Sequence, residues 1–209
     1  MIHLSNYKKS YSGRLILTIP DFHLSKGIYW IKGINGSGKS TLFKCIAGII
    51  EFEGNILIND ISVKKSPVIY RSQVSYSEAE PLFPDFLTLK DIAEFVAKTK
   101  KASGNQLEEL KSTLGVHAYY NDRISTFSSG MLKKAGLLVA FLGKPKVIIL
   151  DEPFITLDAA SSDRLLALIV RLHAQEGVSF LLSSHRNEEN TSLEFNGVFS
   201  IIDQKLVSI

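Results

Sequence analysis

An α/β fold with an inserted helical lobe is what this 209-residue sequence predicts, and three observations carry that expectation. A strand, a glycine-rich loop and a helix follow one another over residues 28–47. Three helical segments then run between Thr88 and Phe141 with no strand among them. After Pro145 the alternation of strand and helix returns with the unbroken apolar run Val147-Ile148-Ile149-Leu150, the pattern of a strand buried on both faces of a parallel sheet.

Taken in order, residues 15–19 read as a strand, Lys26-Gly27 as a turn, and residues 28–31 as a β-branched and aromatic strand. A helix is expected from Lys39 to Ala47, stopped by Gly48. Residues 56–58 and 61–63 form a hairpin around Asn59-Asp60, and residues 74–77 another strand. Thr88 with Asp91 resembles a capping box, and Leu89, Ile92, Ala93, Phe95 and Val96 follow at helical spacing. A second helix carries Leu107, Leu110 and Leu114 and ends at Gly115; a third starts near Ser128 and reaches Phe141. Past the 147–150 strand, Ser161 or Ser162 is expected to cap a helix through Leu165, Leu168, Ile169 and Leu172, with Gly177 beyond its end. Residues 178–182 are the next buried strand, and residues 198–202 and 206–209 close a hairpin around Asp203-Gln204.

Composition narrows the function classes. With 45% hydrophobic and 22% charged residues the chain is globular rather than disordered. A net charge of +3 is too weak to imply nucleic-acid binding; the Lys98, Lys100, Lys101 cluster could touch anionic lipid, with a solvated helix end as the favoured reading. Cys45 is the single cysteine, so no intrachain disulfide forms and a reducing, cytosolic setting is the simpler reading. The longest apolar stretch, residues 135–143, is about half of the ~20 residues a spanning helix needs. The N-terminus has no signal-peptide pattern, so a transport role would require a separate membrane partner.

Chemistry is concentrated in two motifs. Gly33-Ile34-Asn35-Gly36-Ser37-Gly38-Lys39-Ser40-Thr41 fits the phosphate-loop pattern of Gly, four residues, Gly, Lys, Ser. Its glycines let backbone N–H groups turn inward towards phosphates, and the following helix aims its N-terminus at the same anion. Lys39 would meet the β- and γ-phosphates, and the Ser40 hydroxyl would ligate Mg²⁺. Downstream, the 147–150 strand delivers Asp151 and Glu152 at its carboxyl end, where open α/β sheets place ligands. Asp151 would hold Mg²⁺ through water, and Glu152 would polarise the water that attacks the γ-phosphate.

A third motif narrows the field. The run Phe127-Ser128-Ser129-Gly130-Met131-Leu132-Lys133-Lys134 precedes the Asp151 strand. Here the sequence resembles the ABC transporter ATPase family, whose signature reads Leu-Ser-Gly-Gly-Gln followed by basic residues. Ser128 and Gly130 match, Ser129 replaces a glycine and Met131 replaces the glutamine. Read alone, this run is a loop and helix cap, and its helix N-terminus is a second anion site.

The resemblance covers the chain from about Tyr11 onward. It implies an α/β fold with a P-loop NTPase (RecA-like) core, an N-terminal antiparallel β subdomain and an inserted α-helical subdomain. Residues 1–78 and 142–209 would form the first two, and residues 79–141 the helical subdomain with the signature. It further implies that Thr156-Leu157-Asp158 matches the D-loop, that His185 is the switch histidine at the γ-phosphate, and that Tyr11 stacks on adenine, with packing as the alternative for Tyr11. The family's glutamine before the helical lobe is missing. Counting back from Leu82-Phe83 puts Glu78 at its site, where a glutamate could approach Mg²⁺; counting forward from Val74 puts Ala79 there.

The implied cofactors are ATP and Mg²⁺. The implied partners are a head-to-tail mate that closes on ATP, either a second copy or a related ATPase subunit, and a separate transmembrane permease. Ser128, Ser129 and Gly130 would complete the mate's site, and Phe83 and Phe86 are candidate permease contacts, with core packing as the alternative. The implied location is cytoplasmic, peripheral on the cytoplasmic face of the membrane. The Ser-x-Gly-Met variant resembles stand-alone exporter ATPases and leans towards export. Two other readings stay open: an ABC-type ATPase outside transport, and a phosphate-loop kinase or nucleotide switch, for which the signature-like helix would have no task.

Overall fold

The computed structural model describes residues 1–184 and 193–209. Two sheets form its frame. A six-stranded sheet runs in the order β10-β9-β3-β8-β7-β6: β3 (Ile28–Lys32), β6 (Val74–Ser77), β7 (Val147–Leu150), β8 (Ser179–Ser184), β9 (Gly197–Ile202) and β10 (Lys205–Ser208). Its neighbours are parallel except β10, which turns back on β9 through Asp203 and Gln204, both at positive φ as a tight hairpin requires. The second sheet is antiparallel, β2-β1-β4-β5, built from β1 (Ile2–Tyr11), β2 (Arg14–Leu24), β4 (Glu53–Ile58) and β5 (Ile61–Ser62).

Alternation in the central strands splits the interior into two cores. Val147 and Ile149 of β7 face a core that joins the antiparallel sheet to the central one through α1 (Lys39–Ile46) and α2 (Pro67–Gln73). Ile148 and Leu150 face the other core, formed with α3 (Leu89–Thr99), α4 (Gly104–Leu114), α5 (Ser129–Phe141) and α6 (Ala159–Glu176). Each fully buried Leu, Ile or Phe here contributes about 1.5–3 kcal/mol by leaving water. The 147–150 run is apolar at every position because both faces are covered.

The register fixes where chemistry can occur. Lys32 pairs with Ser184, Leu150 with Leu182, and Ser77 with Leu150. The carboxyl ends of β3, β6, β7 and β8 therefore emerge along one edge, each followed by a segment that sequence reasoning had marked.

Several elements differ from expectation. β1 begins at Ile2, in a stretch where Ser5, Asn6 and the 8–10 polar run hide the alternation; a bulge lies between Lys9 and Ser10. α2 was not anticipated: it is short, opens on Pro67 and buries only Tyr70, whose hydroxyl donates to the Ile46 carbonyl at 2.7 Å. α6 starts at Ala159, not beyond Ser161 or Ser162. Its cap is Asp158, whose Oδ1 accepts from the Ser161 N–H at 2.7 Å, while the Ser161 hydroxyl donates to Oδ2. That double acceptance holds the Asp158 carboxyl down at about 2. The capping box at α3 is present in both directions: Thr88 Oγ1 accepts from the Asp91 N–H and Asp91 Oδ2 from the Thr88 N–H. Phe83 packs against the helical core, whereas Leu82 and Phe86 stand exposed.

Candidate nucleotide-binding site

Between β3 and α1 the chain must turn sharply while keeping its N–H groups free to face inward. Gly38 makes this possible at φ +107, a left-handed conformation that a side chain would strain, and a Cβ there would also press on Ile16 at 3.1 Å. No side chain caps α1 and no acidic residue occupies its first turn, so the positive end of the helix faces the loop it follows. Lys39 is buried, and its Nζ donates to the carbonyls of Gly33 (2.6 Å) and Ile34 (3.2 Å). Burial lowers its pKa, against the pull of Glu152 and Asp151.

A cleft of about 420 Å³ opens over the loop, lined by Asn35, Gly36, Ser37, Gly38, Lys39, Ser40 and Thr41, with Ile16, Ala79, Glu80, Glu152 and Ile155 around them. A larger cleft of about 640 Å³ lies against Lys32, Gly33, β9 and the Asp203-Gln204 turn, but it lacks Lys39 and Glu152. The smaller cleft is the one with the chemistry.

Facing the loop, the turn after β7 is held from several directions. Asp151 Oδ1 accepts from the Ser183 hydroxyl at 2.5 Å and Oδ2 from the Tyr76 hydroxyl at 3.2 Å. Ser183 Oγ in turn accepts from the Glu152 N–H at 2.9 Å. Glu152 sits at φ +49, an uncommon conformation for a residue with a side chain and one that tends to occur at functional sites. Burial, and then the Asp151 charge, pushes the Tyr76 hydroxyl far above its ordinary pKa, so Tyr76 remains a donor.

The remaining expected residues fall as follows. Ser128 caps α5 by accepting from the Met131 N–H at 3.3 Å, and Ser129 and Gly130 form the first turn. None of the three lines the 420 Å³ cleft. Tyr11 stands half-exposed at the end of β1 under the Lys9 ammonium and also lies outside the cleft lining. The Glu78 carboxylate turns to Lys44, 3.3 Å away; the cleft wall after β6 is made by Ala79 and Glu80 instead. His185 lies outside the described residues. Sequence reasoning missed Ser183, Tyr76 and Lys133 as parts of this site. Only Lys133 left a trace, since it shares a four-residue spacing with the buried Leu137 and Phe141.

The donor set suits an anion. Lys39 brings a buried ammonium to the loop, and no side chain caps the N-terminus of α1 there. Ser40 offers a hydroxyl and Asp151 a carboxylate, the oxygen ligands that Mg²⁺ prefers.

A parallel sheet with a phosphate loop at its first inner strand and a held Asp-Glu turn two strands away defines a phosphate-loop nucleotide cassette. The family model described as "ABC transporter" matches residues 18–155. The chain belongs to the ABC transporter family, within its ATP-binding domains. It is 28% identical over 188 residues to an uncharacterized ABC transporter ATP-binding protein, YhcH, of Bacillus subtilis (strain 168), covering 88% of this chain and 62% of that one. It is 29% identical to the spermidine/putrescine import ATP-binding protein PotA of Mesoplasma florum, covering 92% of this chain and 57% of that one. The chain thus spans roughly 60% of the length of these curated relatives. Among solved structures, an ATP-binding subunit of an ABC transporter matches at TM-score 0.88 and 26% identity over 99% of this chain and 88% of that one. The dimeric post-hydrolysis state of the cassette MJ0796, bound to ADP and Pi, matches in fold at TM-score 0.86 and 19% identity, covering 99% of this chain and 96% of that one.

Proposed function

We propose that this chain binds and hydrolyses ATP as the nucleotide-powered subunit of a transporter whose membrane channel is a separate permease. The observation that carries the reading is the placement of Glu152 in the wall of the cleft over residues 35–41. Lys39 would exchange the Gly33 and Ile34 carbonyls for the β- and γ-phosphates. Backbone N–H groups of the loop and the start of α1 hold the same anion. Ser40 and, through water, Asp151 would hold Mg²⁺, which when bound neutralises charge on the phosphates. Tyr76 and Ser183 orient Asp151, and Ser183 also fixes the backbone of Glu152. The Glu152 carboxylate takes a proton from water as its oxygen attacks the γ-phosphorus; the bond from that phosphorus to the β,γ-bridging oxygen breaks, leaving ADP and phosphate. Tyr11 on adenine and His185 at the γ-phosphate are the further contacts in this reading, whereas the Glu78 carboxylate is taken by Lys44.

The cleft is open to solvent, and Ser128, Ser129 and Gly130 present a helix N-terminus outside its lining. A head-to-tail mate, a second copy or a related ATPase subunit, would bring its own Ser128–Gly130 turn to this ATP. Leu82 and Phe86, both largely exposed after β6, offer an apolar contact for the permease. No helix among the described residues is long and apolar enough to cross a membrane, so attachment to the cytoplasmic face would come through that contact.

The test is size-exclusion chromatography of Glu152→Gln protein with and without Mg-ATP, together with its turnover. Dimer only with Mg-ATP, and turnover reduced by about 10²-fold or more, are expected. A mutant that turns over near the wild-type rate would remove Glu152 as the base.

A further inference from the structure

The end of β6 and the turn after β7 meet at one buried cation. Lys133 of α5 is 1% exposed. Its Nζ donates to the carbonyls of Glu78 (3.1 Å), Ala79 (2.9 Å) and Asp151 (2.9 Å). An ammonium has three donors and no acceptor, so its full capacity is used on backbone. The acceptors belong to two segments that border the cleft: the residues leading into its Ala79–Glu80 wall, and the residue immediately before Glu152. One turn further along α5, Gly136 lies so near Pro81 that an added Cβ would come within 2.5 Å of Pro81 Cγ. The helix that begins with Ser128, Ser129 and Gly130 is therefore keyed to the 78–81 segment at two points.

We propose that Lys133 is a positioning residue for hydrolysis, tying the 78–80 segment and the Asp151-Glu152 turn to the helix that bears the Ser128–Gly130 turn. This rests on the hydrolytic reading above. Movement of the helical lobe then reaches Glu152 through backbone carbonyls. The chemistry of the position requires an ammonium. Glutamine would offer two donors and bring its own oxygen among carbonyls; methionine, with a similar stem, offers none and strands three buried acceptors. The three carbonyls are engaged by Lys133 and none belongs to the phosphate loop, so binding and turnover should separate.

Lys133→Met and Lys133→Gln are compared with wild type and Glu152→Gln for kcat, KM and affinity for a fluorescent ATP analogue. Displacement of a reacting group by about 1 Å can cost about 10²-fold, so kcat of Lys133→Met should fall by about 10- to 100-fold while KM and affinity stay within about threefold. Lys133→Gln should be intermediate. Wild-type kcat in Lys133→Met, or affinity and kcat lost in parallel, would overturn the proposal. Should the methionine variant fail to fold, Gly136→Ala displaces the same segment with the lysine intact. A selective kcat loss there supports the proposal, and unchanged turnover overturns it. If instead wild type hydrolyses no ATP, or Glu152→Gln equals it, the hydrolytic reading itself fails.

Discussion

Ser183 is a small residue with two obligations. It donates to Asp151 and accepts from the Glu152 N–H, so one hydroxyl sets both acidic residues of the site. Ser183→Ala would leave a buried carboxylate oxygen and a buried N–H without that partner. The expected loss is about 1–3 kcal/mol in a urea unfolding titration, with a fall in kcat. A stability equal to wild type would mean that water replaces the hydroxyl. Neither Ser183 nor Tyr76 could be assigned from the sequence, because serine and tyrosine in strands are ordinary and their partners lie 32 and 75 residues away. Lys39, Ser40, Asp151 and Glu152 were legible because each sits in a contiguous pattern whose chemistry is local.

At the scale of the element, α5 carries the most. Its first turn presents Ser128, its middle holds Lys133, and Leu137 and Phe141 continue that stripe into the helical core. Leu137 is fully buried, so Leu137→Ala should cost about 2–5 kcal/mol in the same titration. A cost below about 1 kcal/mol would mean that α5 can settle into the space left behind. The elements with strong internal signals, α3 with its capping box and β7 with its apolar run, were readable directly. Those that depend on neighbours were not: β1 alternates poorly and is held by two flanking strands, and α2 is too short to show periodicity. At α6 the sequence offers serines as caps, and the aspartate one turn earlier takes the role because it can accept twice from Ser161.

At the scale of the whole molecule, the helical lobe and the central sheet are tied at another lysine. Lys100, at the end of α3, donates from Nζ to Ser75 Oγ of β6 at 2.6 Å. Burial lowers its pKa to about 8 from an ordinary 10.5. Below about pH 8 folded and unfolded chains both hold this proton, and the cost of burying the charge is present in full. Between about 8 and 10.5 the unfolded chain holds more of the proton than the folded one, so this group raises stability with pH. The unfolding free energy of wild type minus that of Lys100→Met should therefore increase from pH 7.5 to pH 10, roughly the span of that shift. A flat difference would show that the ammonium is already solvated in the fold.

By itself the sequence determined the phosphate loop, the Asp-Glu turn, the caps at Thr88 and Ser128 and the alternation of strand with helix, because glycine conformation, charge and hydrophobic period act over a few neighbouring residues. Only the tertiary structure decided the rest. It turned Glu78 to Lys44 and gave the cleft wall to Ala79 and Glu80. It set Ser183 and Tyr76 on Asp151 and buried Lys133 under three carbonyls. These choices depend on which strand ends the parallel register brings to one edge, and on which polar groups must find partners once water is excluded there.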